Sequence, residues 1–494
     1  MAILVLLVLF SAAALAAPAK KSGSGEHVQP PVETGAGSLE QLPGRLGCLA
    51  QGKASIKLCG RARALRGAGP FMGSRAIAVS PDGRNVYVAA GKSDAIAIFS
   101  RDRATGGLTQ SRGKAGCVAA KGAEGCALGI GLIGPNSVAV SPDGRNVYAT
   151  SREGGSVTTF LRNPRTGALR ELPPSASGCI SGLPIPLCSP GRALKGPDVV
   201  VVSPDGRNVY VGSFFGNAIA TFSRAPGSGA LTQLEGSAGC IAENGVEGCA
   251  PGVELGSIEG LAIDEGGSAV YAAAAVSNAV DVLGRDRSTG ALSQGTGAGG
   301  CITNAPVTGC ALGYEIAGAN ALAVAPTGGD VYATSLLSDS LTTFHPLSGG
   351  VGISQPPGPE RQVEKEKGPG KETVPAPEGT PDPDGCTVFL RSSGCGFGVA
   401  MQAPEGLDVS ADGTSVYVAA FRTGAIDVFD RDAESGVVAQ KPGPRGCVAP
   451  AEVHGCTLGR ALAGAGSVVV SPDGRNVYST AALSNAVDVF RRIE

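Results

Sequence analysis

The sequence predicts an all-β fold, a seven-bladed β-propeller of four-stranded antiparallel blades. Three observations carry this reading. First, a tyrosine closing the motif SPDGRNVY, or a variant of it, recurs at Tyr87, Tyr148, Tyr210, Tyr271, Tyr332, Tyr417 and Tyr478, in steps of 61, 62, 61, 61, 85 and 61 residues. A fixed period of this kind is the mark of a repeat architecture. Second, two cysteines accompany every copy. Third, strands such as VVVV (199–202) are apolar on both faces, so each small sheet must be covered on both sides by its neighbours. Seven sheets arranged radially satisfy that need.

The elements follow in chain order. Residues 1–16 (MAILVLLVLFSAAALA) form an apolar run ending in small residues and read as a secretory signal peptide, although no Lys or Arg precedes the run. Residues 17–36 are polar and rich in Pro and Gly, a flexible lead-in. The propeller occupies 37–494. In the second copy, 137–141 is a strand, PDGRN a turn, 147–151 a strand, 156–162 a third strand and 168–172 a short fourth. Pro presets φ, Asp bonds its own backbone and Gly accepts positive φ, so SPDGRN reads as a hairpin turn. Copies with DEGGSAVY or APTGGDVY keep the turn without the full motif. The one long step contains 356–384, a charged, proline-rich insert without apolar periodicity, read as a disordered loop. The chain stops after a third strand (485–492), while GSLEQLPGRLGCLA (37–50) matches the fourth strand and cysteine segment of other units. The N-terminal segment is therefore expected to supply the outer strand of the last blade and close the ring.

The cysteines fall at Cys48/Cys59, Cys117/Cys126, Cys179/Cys188, Cys240/Cys249, Cys301/Cys310, Cys386/Cys395 and Cys447/Cys456. Even, local spacing behind a signal peptide reads as seven small disulfide loops in a secreted or cell-surface protein. Each would contribute roughly 2–3 kcal/mol in the chain-entropy model. Pairing between neighbouring units stays open. Zinc is the rival reading, but no unit offers four ligands.

Charge and composition exclude several classes. The net charge is −2, with no basic stripe, so nucleic acid is not an expected partner. No segment after the leader reaches the roughly 18 apolar residues of a membrane span. The chain has no Trp and 4% aromatic residues, which disfavours stacking on sugars. There is no haem-attachment motif, P-loop or dinucleotide fingerprint. The three histidines sit apart: His27 in the lead-in, His345 before a turn and His454 in a cystine loop.

VAVSPDGRNVY (138–148), NAIATFSR (217–224) and GALTQ (229–233) resemble the lactonase-like, YVTN-repeat class of seven-bladed propellers, over roughly residues 37–494. That class is similar to bacterial 6-phosphogluconolactonase, so the resemblance implies the fold and offers lactone hydrolysis as an activity. The cystine loops and the longer unit depart from those enzymes.

In a propeller of this topology the cystine loops and second-to-third-strand loops share one face, and the SPDGRN turns the other. The residue just before each first strand is expected to open onto the axial channel from the cystine face. In order these are Arg75, Asn136, Asp198, Glu259, Asn320, Glu405 and Gly466. Glu259 and Glu405 are the candidate acid and base of a hydrolase, with Arg75 as anion stabiliser. Asn136, Asp198 and Asn320 are candidate ligand-binding residues. No cofactor is expected, although the ring leaves room for a divalent metal. The bland alternative is a water-filled mouth without function. Phe214, Phe215, Phe421, Arg152 and Arg422 on the neighbouring loops are candidate rim residues. The favoured function is a monomeric binding scaffold for a protein, polymer or small polar ligand. The alternative is the lactonase-like hydrolase.

Overall fold

The computed structural model describes residues 35–52, 57–69, 75–295, 299–348, 351–356, 385–389, 395–451, 453 and 455–494. Residues 1–16, read as a signal peptide, most of 17–36 and nearly all of the 356–384 insert lie outside the described residues, as do His27 and His454. No helix among the described residues is long and apolar enough to cross a membrane.

Seven separate sheets account for the seven sequence units, one blade each, numbered here by their tyrosines. Blade 2 shows the plan. Its strands are Pro135–Val140, Asn146–Ser151, Ser156–Arg162, Leu169–Glu171, Cys179–Ser181 and Ser189–Pro190. The first three form an antiparallel meander. The expected fourth strand is broken in two. Leu169–Glu171 pairs with the outer half of the third strand, and Cys179–Ser181 pairs with its inner half. Ser189–Pro190 then runs parallel beside Cys179–Ser181. Each blade thus has five to six strands where four were expected.

The disulfides are Cys48–Cys59, Cys117–Cys126, Cys179–Cys188, Cys240–Cys249, Cys301–Cys310, Cys386–Cys395 and Cys447–Cys456. All fourteen cysteines are used within their own units, with no free thiol, so pairing between units is excluded. The seven expected disulfide loops are present, and both ends of each bridge belong to a blade edge. The first cysteine of every pair opens a strand of the sheet. The second, at Cys59, Cys126, Cys188, Cys249, Cys310, Cys395 and Cys456, stands immediately before the short strand that runs parallel to it. A parallel strand of two or three residues makes too few hydrogen bonds to hold itself in place, and the disulfide staples it to the sheet.

Strands from both ends of the described chain share the last sheet. Leu39–Gln41 pairs with the outer half of Ala486–Arg492, with Leu39 opposite Arg492, and Cys48–Ala50 pairs with its inner half, with Cys48 opposite Asp488.

Blades pack face to face through aliphatic and aromatic side chains. Tyr87, Ile96 and Ile98 of blade 1 meet Val138, Val147 and Phe160 of blade 2 in one buried cluster. Each such large side chain contributes roughly 1.5–3 kcal/mol on burial.

The SPDGRNVY motif does more than turn the chain. In blade 3, the Ser203 hydroxyl donates to Asp205 and accepts from the Asn208 N–H. Arg285, which ends the third strand of blade 4, then plugs into this turn. Its guanidinium donates to the Tyr210 hydroxyl (2.8 Å), Asp205 (2.8 Å), Asn208 (2.6 Å) and the Gly267 carbonyl (2.8 Å). Arg101, Arg162 and Arg224 make the same latch to the blade before them. Burial works against the Asp205 carboxyl, but hydrogen bonds from Ser203 and Arg285 outweigh it and hold the group at about 2. His345 pairs with Asp330 of its own blade at 2.8 Å, so it is a local structural partner.

Candidate functional site

The axial ring starts with a backbone irregularity. In blades 2 to 7 the register between first and second strands slips at one residue, between Pro135 and Ser137, Pro197 and Val199, Ile258 and Gly260, Ala319 and Ala321, Pro404 and Gly406, and Ala465 and Ser467. The skipped residues are Asn136, Asp198, Glu259, Asn320, Glu405 and Gly466. They do not precede the first strand, as expected, but sit inside it as bulges. A bulged residue is re-aimed out of the pleat. Glycine follows both glutamates. A Cβ at Gly260 would lie 2.7 Å from the Asn320 carbonyl, and one at Gly406 would lie 2.8 Å from that of Gly466. The first strands therefore approach closely where the glutamates are held.

The ring is not a wet mouth. Asp198 and Asn320 are fully buried, and Glu259 is 2% and Glu405 5% exposed. Asn136 donates to Asp198 at 2.6 Å, and Arg152 forms an ion pair with the same oxygen at 3.4 Å. Asn320 ties blade 5 to blade 6 by donating to the Pro404 carbonyl (2.9 Å), and accepts from Thr334 (2.8 Å). One oxygen of Glu259 and one of Glu405 have no hydrogen-bond partner among the described residues. Burial, and then the charge of Asp198, push the Glu259 carboxyl well above the usual range; Arg152 opposes this and Glu405 adds to it. Burial alone raises Glu405. A shift in this direction favours the protonated carboxyl, which can donate a hydrogen bond or a proton.

Arg75 is placed differently from the other candidates. Its guanidinium lies 3.9 Å from Asp408 and raises no effect at either glutamate. It lines both a small cavity of about 20 Å³ and a wider stretch of space beyond. Among the described residues, no group of three His, Cys, Asp or Glu side chains is arranged to hold a metal ion.

Two of the rim residues connect to the ring. Phe214 and Phe215 stack edge to face at 4.9 Å, and the Arg152 guanidinium lies 3.9 Å from the Phe214 ring centre. Arg152 thus joins a largely exposed Phe215 to the buried Asp198. The sequence named Arg152 only as a rim residue; its contact with Asp198 is across blades and left no local signal. Asp408 was missed because it sits in an otherwise ordinary strand. Asp281, Asp427 and Asp488 were missed too. Each is fully buried opposite a cysteine, accepts from Gln294, Gln440 or Gln41, and is pushed well above the carboxylate range by burial. A lone Asp in AVDV or AIDV was the available signal.

Fold and site define a class: a disulfide-braced seven-bladed propeller with an acidic axial ring. Residues 63–122 match the family model described as Lactonase, 7-bladed beta-propeller. Among solved structures the chain is similar to the Pseudomonas aeruginosa periplasmic gluconolactonase (16% identity, 85% of this chain and 91% of that one, TM-score 0.49). It is also similar to Kuenenia stuttgartiensis hydrazine synthase (15% identity, 86% and 97% covered, TM-score 0.47). A chain of the mitotic checkpoint complex aligns at 11% identity over 97% of this chain and 99% of its own, TM-score 0.50. Likeness at such identities concerns the fold and not the activity. No curated protein matches the chain.

Proposed function

We propose that this protein is an exported binding scaffold that presents its cystine face, with the axial ring beneath, to a protein, polymer or small polar ligand. The observation that carries the reading is the continuous path from exposed Phe215 through Arg152 to Asp198. It couples a surface aromatic to a buried, hydrogen-bonding ring on a rigid frame. Seven disulfides with no free thiol favour an oxidising compartment, in keeping with secretion. The test is partner capture from the medium, with wild type against Phe215→Ala and Arg152→Ala, and Arg84→Ala on the turn face as control. Loss of capture in the first two variants alone is the expected result; a partner retained equally by all variants sinks the reading.

Lactone hydrolysis is the second reading, favoured by the family match and the two buried glutamates of the ring. In it Glu259 or Glu405 protonates the leaving oxygen. Opening of a lactone that is lost in folded Glu259→Gln and Glu405→Gln would establish it. An inert protein on a broad lactone panel, with and without divalent metal, would remove it.

A further inference from the structure

The face that carries the SPDGRN turns has a charge pattern that the repeat disperses along the chain. Each SPDGR turn holds one acid and, two residues on, one exposed arginine. The latching arginine of the next blade takes up the acid. Arg162 pairs with Asp82 at 2.8 Å and Arg224 with Asp143 at 2.7 Å, and Asp205 and Asp473 are held alike. The turn's own arginine is left without a counter-charge. Among the described residues, the Arg84, Arg145 and Arg207 side chains make no hydrogen bond or ion pair. Arg475 reaches only exposed Glu494, at 4.0 Å.

These four turns belong to blades 7, 1, 2 and 3, which are consecutive round the ring, since Arg101 of blade 1 latches the turn of blade 7. Neighbouring turns lie against each other: a Cβ at Gly144 would be 3.9 Å from the Pro81 ring of the blade before. Exposed Arg103 and Arg165, on the third-to-fourth-strand turns of blades 1 and 2, widen the arc, and Asp102 is the only acid in those two turns. A Cβ at Gly83 would lie 4.0 Å from the Arg103 guanidinium, so the two kinds of turn are adjacent. The other three blades break the pattern. Where the arc has arginine they have Ser268, Gly329 and Thr414, and blade 4 exposes Glu265. A surface that serves solubility alone intersperses both signs; charge gathered on one side attracts an oppositely charged partner.

We infer that this arc binds an acidic polysaccharide, an extended chain whose successive carboxylates meet Arg475, Arg84, Arg145 and Arg207. A guanidinium suits a carboxylate through two parallel hydrogen bonds. The tyrosines that follow these turns, Tyr87, Tyr148, Tyr210 and Tyr478, are fully buried, so the turns offer no ring on which a nucleic-acid base could stack. Seven disulfides with no free thiol favour an oxidising compartment, which also favours a glycan over a nucleic acid. The arc lies on the face opposite the cystine loops, so it does not rest on the binding-scaffold reading.

Fluorescence anisotropy on the full chain tests this with a labelled oligogalacturonate, its methyl ester as the uncharged counterpart and a single-stranded oligonucleotide of equal charge. Wild type should bind the oligogalacturonate at low salt, lose affinity as salt rises and ignore the ester. Arg84→Gln with Arg145→Gln and Arg207→Gln should weaken binding at least about tenfold and flatten the salt dependence. Arg45→Gln with Arg112→Gln and Arg170→Gln removes the same charge from elsewhere on the disc and should change binding less than about twofold. Loss of one arginine of the four, as in Arg84→Ala, should cost only about twofold, and Phe215→Ala on the other face should cost nothing. All six arginines of the triple variants are exposed, and thermal melting checks that both triples fold. If the arc triple does not fold, Arg145→Glu replaces it and should weaken binding at least about threefold. No binding by wild type, equal loss in the two triple variants, or an oligonucleotide bound as tightly as the oligogalacturonate overturns the inference.

Discussion

The junction of blades 3 and 4 and the junction of blades 4 and 5 are built from the same repeat, yet only the first is latched. At the first, Arg285 enters the turn of blade 3 and meets Asp205, Asn208 and Tyr210. At the second, blade 5 carries Pro346 where the other blades carry arginine. Blade 4 correspondingly has Gly266 and Ala269 where blade 3 has Asp205 and Asn208. Arginine and its Asp and Asn acceptors are missing together, while the tyrosine (Tyr271) and the turn itself persist, with Gly267 at φ +66°. The difference separates two tasks that the motif combines. Glycine makes the turn; Asp, Asn and Tyr receive the next blade.

Breaking the latch should have the largest effect. Arg285→Ala removes a buried guanidinium from Tyr210, Asn208 and the solvent-exposed Asp205 and should cost about 3 kcal/mol in denaturant titration. A loss below about 1 kcal/mol would mean that packing alone holds the junction. The disulfides sharpen the comparison because they are uniform round the ring. Cys240→Ser with Cys249→Ser in blade 3, and Cys301→Ser with Cys310→Ser in blade 4, should each cost about 2–3 kcal/mol, irrespective of the latch. Tyrosine discriminates the two junctions more finely. Tyr210→Phe removes a hydroxyl that donates to the Gly290 carbonyl and accepts from Arg285, and should cost about 1 kcal/mol. Tyr271 faces a blade that carries no latching arginine, and Tyr271→Phe should be smaller, within about 0.5 kcal/mol.

A second departure from the repeat gives a pH-dependent test. Gln110, Gln233, Gln294 and Gln440 each bond the exit segment of the preceding blade through both amide atoms. Blade 2 has Glu171 at this place. One oxygen accepts from the Ile130 N–H, while the other is buried without a partner among the described residues. Burial pushes this carboxyl up to about 7, against the Ile130 hydrogen bond. Because the folded state holds the proton more tightly than the unfolded chain, stability is greatest below the usual carboxylate range. It falls as pH rises toward about 7 and levels off above it. Glu171→Gln should therefore be close to neutral at pH 4 and stabilise by about 1 kcal/mol at pH 8. Melting curves at the two pH values check this; an equal effect at both would refute it.

The blade count and the cystine pairs were legible because both are local and repeated. SPDGRNVY gave the period, and a C-x8-C spacing leaves little choice of partner within a unit. That Cys59, Cys126, Cys395 and Cys456, like their counterparts, each lead into a strand was not legible, because the strand is two residues long and exists only beside its partner. The split outer strand was hidden for a similar reason: its two halves share one partner strand, and neither has a strong pattern of its own. Glu259, Glu405, Asp198, Asn136 and Asn320 were found by position, since their neighbours stay small or apolar while they stay polar. Their burial was not foreseeable, because it depends on how closely Gly260 and Gly406 let adjacent strands approach. Arg75 was singled out by alignment with the others, but its charge acts on Asp408, which no periodicity marked.

Alone, the sequence determined the repeat, the turns and the strand order within a meander, and favoured the near partner of each cysteine, since these depend on residues close together in the chain. Which arginine latches which turn, and which ring carboxyls are buried, were decided only by the tertiary structure. Those contacts join residues about 60 or more positions apart, and their energies depend on how completely neighbouring blades exclude water from between them.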